Sequence, residues 1–83
     1  MLDPSETVFT GPFEREARVS GDRRKITHRV MAWSMDYTPN ELVRWISFYE
    51  RLVGRRDTPQ FRADVEVLRK ARDLVASEQA RGG

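Results

Sequence analysis

His28 is the single histidine of the chain and the first candidate for acid–base chemistry. It lies in the alternating run Lys25-Ile26-Thr27-His28-Arg29-Val30, which gives it Ile26 and Val30 as neighbours on its own face. That setting predicts a partly buried packing residue rather than a base or a ligand. Glu14 and Glu16 stand two apart and share a face if the segment is a strand, the spacing of a paired acid and base. Arg15 and Arg18 sit beside them, so an ion-paired, solvated edge is expected instead. Cysteine is absent, which excludes thiolate nucleophiles, zinc knuckles and disulfides. The sequence has no glycine-rich phosphate loop, no nucleophile elbow and no paired-histidine motif. The expectation is a protein without catalysis, cofactor, metal or small-molecule substrate.

Basic residues offer a second chemistry. Lys and Arg total 15 against 13 acids, a formal charge of +2, and only Lys25 and Lys70 are lysines. Arginine-rich surfaces suit bidentate recognition of phosphate or carboxylate. Arg23, Arg24, Lys25 and Arg29, with Thr27 between, form one cluster, and Arg55 and Arg56 form a second. A DNA- or RNA-binding regulator using that Arg-rich strand is the alternative function. The small net excess argues against a dedicated polyanion binder.

The elements that must position these residues are clearest in the second half. Thr38-Pro39-Asn40-Glu41 carries a capping threonine, a proline at the first helical position and a capping-box glutamate. The signal predicts a helix over 39–53, closed by a left-handed Gly54. Thr58-Pro59 repeats the start and predicts a second helix from 59 to 77 or 79. The short connection makes them an antiparallel αα-hairpin. In the first half, 13–19 and 25–30 alternate in polarity around the turn signal Ser20-Gly21-Asp22, which predicts a β-hairpin. Phe13, Ala17 and Val19 fall on one face of it. The rival is a third helix over 22–35, with Ile26, Val30 and Trp33 on one stripe. The expected fold is therefore α+β, a β-hairpin packed on an αα-hairpin, with an all-α three-helix bundle as alternative. Length allows one domain spanning 1–83, with residues 1–12 and 80–83 flexible.

The first helix has more apolar circumference than one antiparallel neighbour can cover. Leu42, Trp45, Ile46, Tyr49 and Val53 form its main stripe, and Val43, Phe48 and Leu52 widen it. The N-terminal half or a second protomer must cover the surplus. Aromatic and arginine enrichment with little lysine is the composition of interface surfaces. Trp45, Phe48, Tyr49, Leu52, Val67 and Leu74 are the expected protein interface. The function expected is a homodimeric adaptor, regulator or assembly module that binds proteins. No apolar run approaches the ~20 residues of a bilayer span, and a cytoplasmic location is expected.

Overall fold

A computed structural model describes residues 6–82, with side chains through Ser77. Four strands precede two helices: β1 (Thr7–Gly11), β2 (Arg15–Val19), β3 (Ile26–Val30), β4 (Trp33–Tyr37), α1 (Pro39–Arg55) and α2 (Pro59–Gly82). The strands form one antiparallel meander in the order β1-β2-β3-β4. The α+β class with a β-hairpin followed by an αα-hairpin is what the molecule adopts. The three-helix alternative falls, because β-branched Ile26, Thr27 and Val30 pair across a ladder with β2 and β4.

The sheet is larger than the predicted hairpin. Thr7–Gly11, expected as part of a flexible end, pairs with β2 from Thr7↔Val19 to Gly11↔Arg15. Trp33–Tyr37 supplies the fourth strand, with His28↔Met35 at its middle. Residues 1–5 and 83 of the two ends expected to be flexible lie outside the described residues. Phe13 and Glu14 do not lie on β2. They form the β1–β2 turn with φ of 59° and 56°, so Phe13 is exposed rather than aligned with Ala17 and Val19. Glu14 and Glu16 consequently share no strand face, and the paired-carboxylate arrangement does not exist.

Each strand alternates between two faces. Ala17, Val19, Ile26, His28 and Tyr37 point inward and are buried, while Glu16, Arg18, Thr27 and Arg29 occupy the outer face. Both helices cover the inner face. The α1 start is as its sequence predicts: Thr38 Oγ1 accepts from the Glu41 N–H at 3.2 Å, and the Glu41 carboxylate accepts from the Thr38 N–H at 2.9 Å. Glu41 is held below the usual carboxylate range by those Thr38 bonds. Gly54 does not form a left-handed cap. The helix runs on to Arg55 and closes with the Arg56 N–H donating to Leu52 O at 2.8 Å. At α2 the Thr58 hydroxyl accepts from the Phe61 N–H at 3.3 Å.

Asp57 and Arg62 pair at the start of α2, and Glu50 of α1 pairs with Arg69 of α2. The core joins Ala17, Val19, Ile26 and Tyr37 of the sheet to Leu42 and Ile46 of α1 and to Val67, Leu68, Ala71 and Val75 of α2. Gly11 lets α2 approach β1, since a Cβ there would lie 3.0 Å from Val67 Cγ1.

Candidate functional site

Among the described residues the buried polar side chains form one network, and His28 is its middle. On α2, Phe61, Val65, Leu68, Ala71 and Val75 form an apolar stripe, and Asp64 sits inside it. Asp64 is 2% exposed and reaches two strands at once. Its Oδ1 accepts from Arg15 Nε of β2 at 3.1 Å and from His28 Nε2 of β3 at 2.9 Å. A carboxylate only accepts, so Nε2 carries a proton, and in the neutral ring Nδ1 is then an acceptor. Tyr37 of β4 lies there, its hydroxyl 3.4 Å from Nδ1, a long contact. Arg15 also donates to Phe13 O at 2.7 Å, tying the β1–β2 turn to the same group.

An aromatic shell closes around the network. The Tyr49 ring meets His28 edge-on at 5.5 Å, and Trp33 does so at 6.1 Å. Trp45 stacks on Tyr37 at 5.5 Å, and Phe48 meets both Trp45 and Tyr49. Chemically the chain Tyr37–His28–Asp64–Arg15 has the order of a proton relay. His28, Tyr37 and Asp64 are shut off from solvent at 0%, 2% and 2% exposure, and Arg15 is mostly covered. Both ring nitrogens of His28 face protein partners, and the network ties β2, β3 and β4 to α2. It converts four polar side chains, each costly to bury alone, into mutual partners.

Burial sets the ionisation of the tyrosines. Desolvation pushes the Tyr37 hydroxyl far above its ordinary value, and Tyr49, Asp64 and Glu41 add repulsion to its ionised form. Desolvation likewise raises Tyr49, with Asp64 adding to it and Arg15 offsetting part. The chain has two tyrosines, and both lie here, so tyrosinate absorbance reads this site alone. A raised folded-state value means that the folded form keeps the neutral phenol. Its contribution to stability is full below about pH 10, the unfolded value, and is lost as pH rises beyond it. Alkaline titration is expected to show tyrosinate only together with loss of helical circular dichroism. Half-ionisation near pH 10 in the intact fold would contradict this burial.

The residues expected at an interface divide. Val67 is a correction: at 0% exposure it packs in the protomer's own core, against β1. Trp45, Tyr49 and Leu74 are partly buried and packed on that core, and Leu52 is half-buried. Phe48 remains open at 41%. Two residues outside the expected set join it. Trp33 and Met35 are on the inward face of β4, yet they are 49% and 41% exposed. Trp45 sits over Tyr37 of β4 and Tyr49 over His28 of β3, so α1 leaves the edge strand as it proceeds. Trp33 and Met35 are left uncovered, beside the Phe48 flank of α1. Among the described residues β4 has no neighbour on its outer side.

The two basic clusters are not brought together. Arg23 and Arg24 occupy the β2–β3 turn, where Arg23 donates to Ser20 O at 3.3 Å and Thr7 Oγ1 at 3.4 Å. The Ser20 hydroxyl and the Arg24 N–H both donate to Asp22 and hold its carboxyl below the usual range. Arg55 and Arg56 lie at the other end of α1, about 25 Å along its axis. Lys25, Thr27 and Arg29 line the outer sheet face with Glu6, Glu16 and Arg18. That face is mixed in sign: Arg18 pairs with Glu6 at 2.9 Å and Glu16 at 3.4 Å, and Thr27 donates to Asp36 at 2.7 Å.

Asp64 and β4 are the functional features that sequence reasoning missed. Their signals were an acid inside an apolar helical stripe and the alternation Trp33-Ser34-Met35-Asp36-Tyr37. Among the described residues no helix is long and apolar enough to cross a membrane, and no cluster of His, Asp or Glu could hold a metal ion. The chain matches no family model, no curated protein and no solved structure.

Proposed function

We propose that the chain is a non-catalytic protein-interaction module that docks through the apolar surface at Trp33, Met35 and Phe48. The observation that carries this reading is the placement of those three side chains. Trp33 packs on His28 and Phe48 on the partly buried Trp45 and Tyr49, all three side chains are 41–49% exposed, and Trp33 and Met35 belong to the edge strand β4. Apolar residues of this size concentrated on one flank are the usual sign of a docking surface. Backbone groups on the edge add a directional element to the contact. As an adaptor or assembly subunit the chain contributes a surface, and the buried network keeps that surface in shape.

The test is a comparison of the wild-type chain with the double variant Trp33→Ser/Phe48→Ser. Circular dichroism confirms that the variant keeps its fold. Cross-linking and affinity capture at physiological salt are expected to yield a bound protein, a second copy or another chain, for the wild type. The variant is expected to lose that association by at least about tenfold, in line with removal of two central aromatic anchors. Equal capture by both proteins overturns the reading. So does association carried by nucleic acid, lost between about 50 and 200 mM salt and indifferent to the two serines.

A further inference from the structure

The free edge of β4 has a repeating pattern that identifies one occupant. β3 and β4 are joined by the two-residue turn Met31-Ala32, with Val30↔Trp33 as the closing pair. In such a hairpin the closing pair is hydrogen-bonded, and pairs alternate from there along the ladder. By that alternation Trp33, Met35 and Tyr37 direct their backbone groups to β3. Ser34 and Asp36 direct theirs to the open edge. We propose that β4 pairs with β4 of a second copy, antiparallel about a two-fold axis at Met35, joining two four-stranded sheets into one. This inference rests on the reading of the β4 flank as a docking surface and names what docks there.

Three observations select a second copy. The first is backbone register. A two-fold at Met35 sets Ser34 opposite Asp36 of the other copy, twice, and these are the residues whose N–H and C=O groups are free. Met35 then faces its own counterpart as a non-hydrogen-bonded pair, the narrow kind that suits two apolar side chains.

The second is charge. On the outer face one rung runs Glu16–Arg29–Ser34 and the next runs Arg18–Thr27–Asp36. Joining the copies continues the first rung as Asp36, Thr27 and Arg18 of the other chain. The full row alternates in sign, acid, base, acid, base, separated by Ser34 and Thr27. No two like charges fall directly opposite one another, the two Asp36 side chains meet only on the diagonal, and Arg29 stands one strand beyond Ser34 from Asp36 of the other copy.

The third is shape on the inner face. Trp33 is uncovered because α1 has moved away from β4 at that rung. The two-fold places it beside Tyr37 of the other copy, the rung at which α1 does sit over β4, through Trp45. Each exposed Trp33 therefore meets the covered end of its counterpart. At the axis rung α1 lies over β3 in each copy, so the two helices stand about three strand spacings apart, roughly 14 Å, with Trp33 and Met35 in the space between them. The opposite edge, β1, does not offer this. Its inward Phe9 is already packed on the core, alongside Val67 of α2.

Absence of cysteine makes a direct test simple. In Met35→Cys the two thiols would face each other across the axis, with Cα atoms about 4.5 Å apart, within disulfide range. Mild oxidation at micromolar concentration is expected to give a covalent dimer at least about tenfold faster than Thr10→Cys on the β1 edge. Light scattering on the wild type is expected to report twice the chain mass, and Ser34→Pro should raise the dimer dissociation constant at least about tenfold. Proline at 34 removes only an edge-facing N–H. If Ser34→Pro loses its sheet by circular dichroism, the cysteine comparison alone decides.

A wild type that stays monomeric at high micromolar concentration overturns self-pairing. Equal cross-linking of the two cysteine variants does so as well. Neither result removes the docking surface itself, which falls only if capture is indifferent to Trp33→Ser/Phe48→Ser.

Discussion

Asp64→Ala is expected to destabilise the fold by about 3–5 kcal/mol, measured as the shift in urea unfolding free energy. The carboxylate is 3% exposed at its side chain and is the shared acceptor for Arg15 and His28. Deleting it leaves Arg15, whose side chain is 11% exposed and mostly covered, without its acid, and leaves the His28 Nε2 proton without an acceptor. An uncompensated buried charge costs far more than the pair contributes. The companion variant separates the two. Arg15→Met/His28→Leu/Asp64→Leu removes the network as a whole and is expected to recover most of the loss. A single-variant cost below about 1 kcal/mol would mean that Asp64 is not a buried acceptor.

Leu68→Ala is the second large effect, expected at about 2–5 kcal/mol in the same assay. Leu68 is 0% exposed and lies one helical turn beyond Asp64, on the surface of α2 that faces the core. The deletion removes buried methyl groups and leaves a cavity that the sheet and α1 cannot collapse to fill. For a chain of this length total stability is about 4–12 kcal/mol. At the lower end of that range the variant is expected to be partly unfolded at room temperature, and at the upper end to stay folded with a lower urea midpoint. Phe48→Ala on α1 is the control and is expected to cost about 1 kcal/mol or less, because that ring is already open to solvent. Equal costs at the two positions would place Phe48 in the core and remove it from the docking surface.

Local chemistry was legible in the sequence wherever a short motif carried its own geometry. Thr38-Pro39-Asn40-Glu41 closes its capping box within four residues, and Thr58 caps α2 through its hydroxyl alone. The alternation of 15–19 and 26–30 showed which side chains turn inward. Elements that depend on distant partners were harder to see. Val8 and Phe9 are followed by Thr10-Gly11-Pro12, which reads locally as a loop, and only pairing with β2 makes that segment a strand. Trp33 to Tyr37 alternate, but Trp33 also completes a helical stripe with Ile26 and Val30, and the two periods compete over so short a run. His28 was placed correctly on an inward face. Its partner, 36 positions away on α2, is a tertiary fact. The surplus apolar surface of α1 was visible as composition. Its division between Trp45, which the sheet covers, and Phe48, which it does not, follows from the path of α1 across the strands.

The reach of Asp64 has a consequence for how the chain is made. Arg15 and its acid are 49 positions apart, and α2 is the last of the six elements to be synthesised. At about 5–20 residues per second a ribosome needs roughly 2–10 s to travel from one to the other. During that interval the meander can pair its strands, but its inner face, with Ala17, Val19 and Ile26, has no lid, and the Arg15 charge has no counter-ion. The nascent sheet is therefore sticky on one side and waits for α2. Chaperone occupancy during translation should peak over that stretch and fall once Asp64 has emerged.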